Sequence, residues 1–400
     1  MIRINSFLHR EELADVIRRW MYDEASPSDA ALLTGLAHFN HLYVSRYLAR
    51  FSGTIFTGLH GEGLSHRPVR VKGELKEALI KEPPYHNKRI DALLQEYREN
   101  PGRFYRETPF HGTLFFLARD GRLEYLGSNR IKRVRRLAEK SARRVIDRIF
   151  TRIKHHADDL AEQRAQQLGI PREVLLTTPN EMIEEFLKAE NRLLLDLQEK
   201  RPIEREGDEP LVINDVAGMK VILEEAEQWR LPEVIAMLPD CEIIERERHS
   251  GRYNATNFII RYRPPREEIL KPPLGKELLA LMQARGYAPE EAAEAFAAFV
   301  RSGEEDVLLE IILSTYQESL ESEIGRSIHE DRILEQRLYQ PYRGPLARNI
   351  QCLMEYLFTF PISNQRDLGE LPIKLWNRYL PDYFDEILKK LFHVPPIPWG

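Results

Sequence analysis

Along the chain, stretches in which apolar residues recur at every second position alternate with stretches in which they recur at every third or fourth, so strands and helices are interleaved. Thr113 to Ala118 and Arg122 to Leu126 are strand-like runs on either side of Arg119-Asp120-Gly121, a polar Asp-Gly turn that predicts a β-hairpin. From Asn129 the period lengthens. Ile131, Val134, Ala138, Ser141 or Ala142, Val145, Ile149 and Ile153 mark one apolar stripe of a long helix. Residues 158 to about 205 read as polar, acid-rich helices forming an appended arm, with Thr178-Pro179-Asn180-Glu181 as a helix start. Leu211 to Leu223 reads as a strand rich in Val and Ile, Glu224 to Leu238 as a helix, and Cys241 to Arg248 and Ala255 to Tyr262 as two further strands. Prolines at 264, 265, 272 and 273 mark a break. Beyond them Gly275 to Arg301 is alanine-rich and helical, Asp306 to Ser314 is a strand and Thr315 to about Tyr339 a helix. Residues 1 to about 110 mix short helical patterns with Pro-, Gly- and His-rich connections and carry no motif. This order of elements predicts an α+β fold.

Composition bounds the function. With 400 residues, 42% of them hydrophobic and 30% charged, the chain is long enough for roughly two or three domains with real cores. A net charge of −5 sets up no global field that would recruit nucleic acid or membrane, so local patches matter more. The two cysteines, Cys241 and Cys352, make neither a disulfide framework nor a metal-ligand spacing, and the N-terminus has no long apolar core. The longest apolar runs, such as Leu114 to Ala118 and Tyr356 to Phe360, fall far short of the ~20 residues of a bilayer span. The expectation is a reduced, cytoplasmic protein without a membrane segment. One patch stands out: between Arg130 and Lys154, eleven Lys or Arg face only Glu139 and Asp147, a local excess of +9. Such a helix is a solvated face, a nucleic-acid contact or a phosphate clamp.

Two acids lie inside apolar runs. In the strand ending at Ser314, Val307, Leu309, Ile311 and Leu313 share one face, and Leu308, Glu310, Ile312 and Ser314 the other. Asp215 sits similarly in Val-Ile-Asn-Asp-Val-Ala-Gly-Met-Lys-Val-Ile. A carboxylate so placed needs a cation, a metal or water beside it. Either acid can pair with Lys or Arg or sit at an exposed edge; two that converged would suit Mg²⁺, a hard cation that takes a few carboxylates and completes its shell with water or phosphate oxygens. His155-His156-Ala-Asp158-Asp159 has the look of a metal-dependent phosphohydrolase signature but lies in a polar helical run without upstream partners.

Taken together, these segments resemble the RelA/SpoT family of alarmone synthetases. Arg130, Lys132 and Lys140 fall on the spacing of that family's ATP clamp. Asp215-Val-Ala-Gly-Met-Lys220 matches its Asp-Ile-Ala-Gly-Ile-Arg strand, Arg252-Tyr253-Asn254-Ala255-Thr256-Asn257 its acceptor-base motif more loosely, and Glu310-Ile-Ile-Leu-Ser-Thr315 its Glu-x-Gln-Ile-Arg-Thr. Glu323-x-Gly325-x-x-x-His329 follows as in the family. The resemblance implies a nucleotidyltransferase-like mixed sheet flanked by helices, and transfer of pyrophosphate from ATP to the 3′-hydroxyl of a nucleotide. It implies Mg²⁺ held by Asp215 and Glu310 as the catalytic carboxylates, donor phosphates on Arg130, Lys132 and Lys140, and an acceptor near Tyr253, Asn257, Lys220 and His329. Tyr253 would stack on the acceptor base, or pack as an amphipathic tyrosine at a strand end. His329 stands one helical turn beyond Gly325, whose missing side chain would leave space beside the imidazole for a phosphate.

The departures are specific. Lys220 and Ser314 stand where the family has arginines, and Asn257 where it has histidine, which points to an acceptor other than the usual GDP or GTP, a nucleotide or RNA end. Three parts are expected: an N-terminal module over 1–118, a nucleotidyltransferase-like domain over 119–340 with helical insertions at about 155–208 and 264–305, and a helical C-terminal tail over 341–400. The rival reading is a non-catalytic module on the same fold that binds a regulatory nucleotide, or RNA through the basic helix 130–154.

Overall fold

A computed structural model of the chain describes residues 1–395 apart from 120, 205–206, 252–253, 285–287, 326–327 and 340–341, and leaves the side chains of 119, 328, 329 and 336 undescribed. The chain opens with β1 (Ile2–Ile4), α1 (Arg10–Met21), α2 (Asp29–His60), β2 (Leu64–Val71), α3 (Lys72–Lys81) and α4 (Lys88–Glu99), then forms the hairpin β3 (Pro109–Arg119) and β4 (Arg122–Ile131). Next come α5 (Val134–Leu168), α6 (Pro179–Gln198), β5 (Leu211–Ile213), β6 (Ala217–Ile222), α7 (Arg230–Ala236), β7 (Cys241–His249) and β8 (Ala255–Tyr262). The last third holds α8 (Arg266–Leu270), α9 (Lys276–Ala284), α10 (Pro289–Ser302), β9 (Val307–Ser314), α11 (Tyr316–Leu320), a π-helical turn Glu321–Gly325, α12 (Ile328–Leu338), α13 (Pro345–Thr359) and α14 (Pro381–Leu391).

The fold is α+β around one mixed sheet in the order β2-β3-β4-β6-β9-β8-β7, with β6 and β9 parallel and the other described pairs antiparallel. The odd positions of β9, Val307 to Leu313, are buried beneath α2 and α10, whose Tyr47, Phe51, Phe56 and Phe296 join Phe115, Met219 and Phe258 in one core. On the opposite face α3, α4 and α11 cover the β2–β3–β4 side, with Leu79, Leu93, Tyr97, Phe116 and Tyr316 in contact. These helices leave uncovered the part of that face where Glu310 and Ile312 emerge. A third core joins α5, α6 and α13 with α1 and the C-terminal segment.

Several expectations need correction. Residues 1–118 are not a separate module: β2 and β3 belong to the main sheet, α2 fills its core, and β1 pairs with β5, Ile2 opposite Leu211. A boundary at 118 would cut through the β3–β4 hairpin. The short helical patterns read there conceal α2, 32 residues long and thus about 48 Å. Its Gly53 and Gly58 interrupt the local propensity, but burial of Leu36, Tyr43, Tyr47, Phe51 and Ile55 against the sheet overrides it. Arg130 and Ile131 end β4, paired with Gly218 and Ala217, so α5 begins only at Val134 and then runs unbroken past residue 155. Of the rest of the expected stripe, Val134 is half-buried and Ala138, Ser141, Ala142, Val145, Ile149 and Ile153 are buried. The start at Thr178 carries a capping box with Glu181. The C-terminal tail expected to be helical carries α13 and α14, and it is packed into the fold, since Ile350, Leu353 and Leu357 of α13 are buried in the core with α5. Gly127 has φ 148°, and a Cβ there would collide with the Lys220 carbonyl of β6 and lie 3.0 Å from the Phe56 ring, so only glycine fits.

Candidate functional site

The run Leu211 to Leu223 is two strands rather than one. β5 pairs with β1 while β6 inserts between β4 and β9, and the chain breaks at Asn214-Asp215-Val216 to change partners. Asp215 therefore sits in a link, not in a strand, beside the end of β4, where the Lys132 amide donates to the Val216 carbonyl. The Lys132 ammonium stands 2.7 Å from Asp215 Oδ2 and also donates to the Asp215 carbonyl. Lys140, in the second turn of α5, pairs with the same Oδ2. The other oxygen, Oδ1, is buried without a hydrogen-bond partner. Burial alone would raise the Asp215 pKa, but Lys132 and Lys140 outweigh it and hold the carboxyl well below its ordinary range. Lys132 pays for that position: burial lowers its pKa to about 8 despite Asp215.

Glu310 projects from β9 on the uncovered face, opposite Gly218 of β6 in the parallel register, and its Oε1 accepts from Asn257 Nδ2 of β8 at 3.2 Å. Arg130, Lys132, Lys140, Asp215, Asn257 and Glu310 all line one cleft of about 460 Å³. Oxygen-only donors, one of them orphaned, fit a hard cation. Among the described residues no three His, Cys, Asp or Glu side chains gather as a self-sufficient metal site, so Mg²⁺ on Asp215 and Glu310 would take its remaining ligands from water and phosphate.

Lys220 lies one recess deeper. Its ammonium is buried, has no hydrogen-bond partner and stands 3.9 Å from Glu323 Oε1. Burial lowers its pKa to about 8, with Glu323 opposing and Lys72 and Arg130 adding to the shift. Below pH 8 the fold must therefore hold a charge that burial disfavours. Between about pH 8 and 10.5 the unfolded chain binds the extra proton, so this contribution to stability rises with pH. Lys220→Met is expected to raise the melting temperature at pH 7, equivalent to roughly 2–3 kcal/mol, with the advantage fading toward pH 10. Melts of both proteins at pH 7 and 9.5 check this; a less stable variant at pH 7 would show that the Glu323 contact outweighs burial.

The remaining expected residues fare differently. Tyr253 lies outside the described residues, as does the His329 side chain, although the His329 backbone is on α12. Gly325 leaves no space for a phosphate: a Cβ there would meet Leu93 Cδ2 at 2.7 Å and Arg89 Nη2 at 3.2 Å, because α4 packs on this turn. Ser314 spends its hydroxyl on Ser319 at 2.8 Å. The +9 helix is not one patch. Arg133, Arg136, Lys140 and Arg144 face the cleft, whereas Arg148 and Arg152 are tied to Glu204, Asp208 and the backbone of the segment before β5. Sequence reasoning missed Lys72, His111, Glu247, His249 and Arg332 of the cleft. No local signal marks them, since each reaches the site only through long-range strand or helix placement. Comparison with protein-family models, curated proteins and solved structures finds no match to this chain.

Proposed function

We propose that the protein is a Mg²⁺-dependent transferase of the RelA/SpoT type, on a nucleotidyltransferase-like fold, that moves pyrophosphate from ATP to the 3′-hydroxyl of a nucleotide or RNA end. What supports the reading most is convergence: Arg130, Lys132 and Lys140 meet Asp215 and Glu310, 180 residues apart at the extremes, on one cleft. In the reaction the acceptor hydroxyl oxygen attacks the β-phosphorus of ATP, the bond from that phosphorus to the α-phosphate oxygen breaks, and AMP leaves. Glu310 receives the hydroxyl proton, and the hydrogen bond from Asn257 to its Oε1 supports that role. Arg130, Lys132 and Lys140 neutralise the donor phosphates, so positioning and charge compensation carry most of the acceleration. Bound Mg²⁺ would add charge neutralisation between Asp215, Glu310 and the phosphates. Lys220 in place of a guanidinium and a Ser314 hydroxyl already engaged support an acceptor other than GDP or GTP.

Protein incubated with labelled ATP, Mg²⁺ and a panel of nucleotides and tRNA is expected to release AMP and label one acceptor. No AMP with any acceptor overturns the reading. A groove of about 370 Å³, in which Arg135, Arg136, Lys140, Arg143 and Arg337 outnumber Glu139 and Glu355 although Glu139 pairs with three of the arginines, favours the second reading, a non-catalytic RNA- or nucleotide-binding module. Salt-dependent RNA binding without AMP release would select it. Within the first reading, Lys132→Ala and Lys140→Ala should each weaken ATP binding about 10- to 100-fold and acceptor binding little, as charge-assisted contacts of ~1.5–3 kcal/mol require. Unchanged ATP affinity in both, by calorimetric titration, would assign these lysines to Asp215 alone.

A further inference from the structure

Behind Glu310 a recess of about 30 Å³ opens among Lys72, Ser128, Arg130, Gly218, Lys220 and Glu323. Lys72, Arg130 and Glu310 also line the main cleft, so the two spaces adjoin. Among the described residues the charges around the recess do not balance, even with Glu310 and Arg130 of its lining counted. Lys72 donates to Glu323 Oε2 at 2.7 Å, Lys76 donates to the Glu323 carbonyl and stands 3.7 Å from Glu330, and Lys220 has Glu323 Oε1 at 3.9 Å. Three lysines thus share two carboxylates, with side-chain exposures of 8%, 0% and 12% against 4% and 6%. Burial raises the pKa of Glu330, whose two oxygens have no hydrogen-bond partner, which deepens the imbalance. A buried cation without a full counter-charge is expensive, and the Lys220 ammonium has no donor–acceptor contact to offset it. Its position is explained if an anion completes the shell.

We infer that this recess is an oxyanion subsite for a phosphate group of the acceptor, built by Lys220 and Lys72, the latter supplied by the first element after β2, with the donor-side Arg130 at its border. The cleft then has two cationic poles with Glu310 between them: Lys132 and Lys140 on the Asp215 side for the donor, and Lys72 and Lys220 on the Glu323 side for the acceptor. Gly218 lines the recess beside Glu310, and a Cβ there would lie 3.3 Å from the Glu310 carbonyl and 3.9 Å from its Oε2, crowding that side chain. The acceptor role rests on the transferase reading; the anion subsite does not.

The test uses the full chain without nucleotide or Mg²⁺. Inorganic phosphate, against sodium chloride at matched ionic strength, is expected to raise the melting temperature of the wild-type protein. Lys220→Met and Lys72→Met should each lose most of that shift, and Lys188→Ala, an exposed lysine of α6, should keep it. No shift in the wild type overturns the inference, as does a shift that survives in Lys220→Met and disappears in Lys132→Met. Lys220→Met carries the test should Lys72→Met not fold. Where AMP release is found, a nucleoside 5′-monophosphate should outcompete the parent nucleoside as acceptor by about tenfold or more, and Lys220→Met should erase that advantage while leaving the KM for ATP unchanged. Equal use of the two acceptors by the wild type overturns the acceptor assignment. Phosphate binding lost in Lys220→Met with no AMP release would leave the subsite standing and the transferase reading fallen.

Discussion

Asp215→Asn is expected to lower AMP release by more than about 10³-fold while the protein stays folded. The amide keeps the shape of the carboxylate but not its charge, so it offers a hard cation little. It also leaves Lys132 and Lys140, both now on Oδ2, without their shared counter-ion. A second readout separates this from simple unfolding. The folded-state pKa of Asp215 lies below its unfolded value, so its ionised form stabilises the fold above the ordinary carboxylate range, and that contribution is lost as pH falls. The wild type should lose stability on acidification more steeply than the Asn variant. Glu310→Gln should match the activity loss, because the proton acceptor opposite Asn257 is removed. Undiminished turnover in Asp215→Asn would remove the proposed mechanism.

Glu323→Gln is expected to be the most destabilising single change near the site, by about 3–5 kcal/mol. Glu323 is buried and takes Lys72 on one oxygen and Lys220 near the other, while its carbonyl accepts from Lys76. Among the described residues, neutralising it leaves Lys72 and Lys76 with Glu330 and takes from Lys220 its one ion-pair contact. Adding Lys220→Met should recover part of the loss, with a coupling of about 1–3 kcal/mol in a double-mutant cycle, because one of the stranded charges goes with it. Urea denaturation of the four proteins measures this. A Glu323→Gln variant within about 1 kcal/mol of wild type would show that the lysines shed their protons instead of destabilising the fold.

How far the site was legible depends on the range of the interactions that build it. Glu310 could be placed from sequence, because a strand with one face packed on α2 must alternate, and Val307, Leu309, Ile311 and Leu313 do. The β3–β4 hairpin was legible for the same local reason, with Gly121 at φ 75° in its turn. The stripe of α5 was legible too, but its start was not, since Arg130 and Ile131 are held in β4 by pairing with β6. Asp215 was found by its neighbours and placed wrongly: the strand run around it is continuous in sequence and is broken only because β1, about 210 residues earlier, claims Leu211 to Ile213. Lys72 carried no signal at all, standing at the head of an unremarkable helix until α3 packs beside the turn that holds Glu323.

The sequence by itself determined the elements whose period is local, the chemistry of the residues they carry, and the candidate set Arg130, Lys132, Lys140, Asp215, Asn257 and Glu310. The elements and the face that carries Glu310 follow from side-chain periodicity, which needs no partner to be read, whereas Arg130, Lys132, Lys140 and Asn257 enter the set through the motif spacing of the RelA/SpoT resemblance. Only the tertiary structure decided which charges share a low-dielectric space: that Lys132 and Lys140 both stand on one oxygen of Asp215, that Lys220 is left with half a counter-ion, and that Lys72 joins it. A charge acquires its pKa and its cost from whatever folding brings within a few ångströms, and here those neighbours come from up to about 250 residues away.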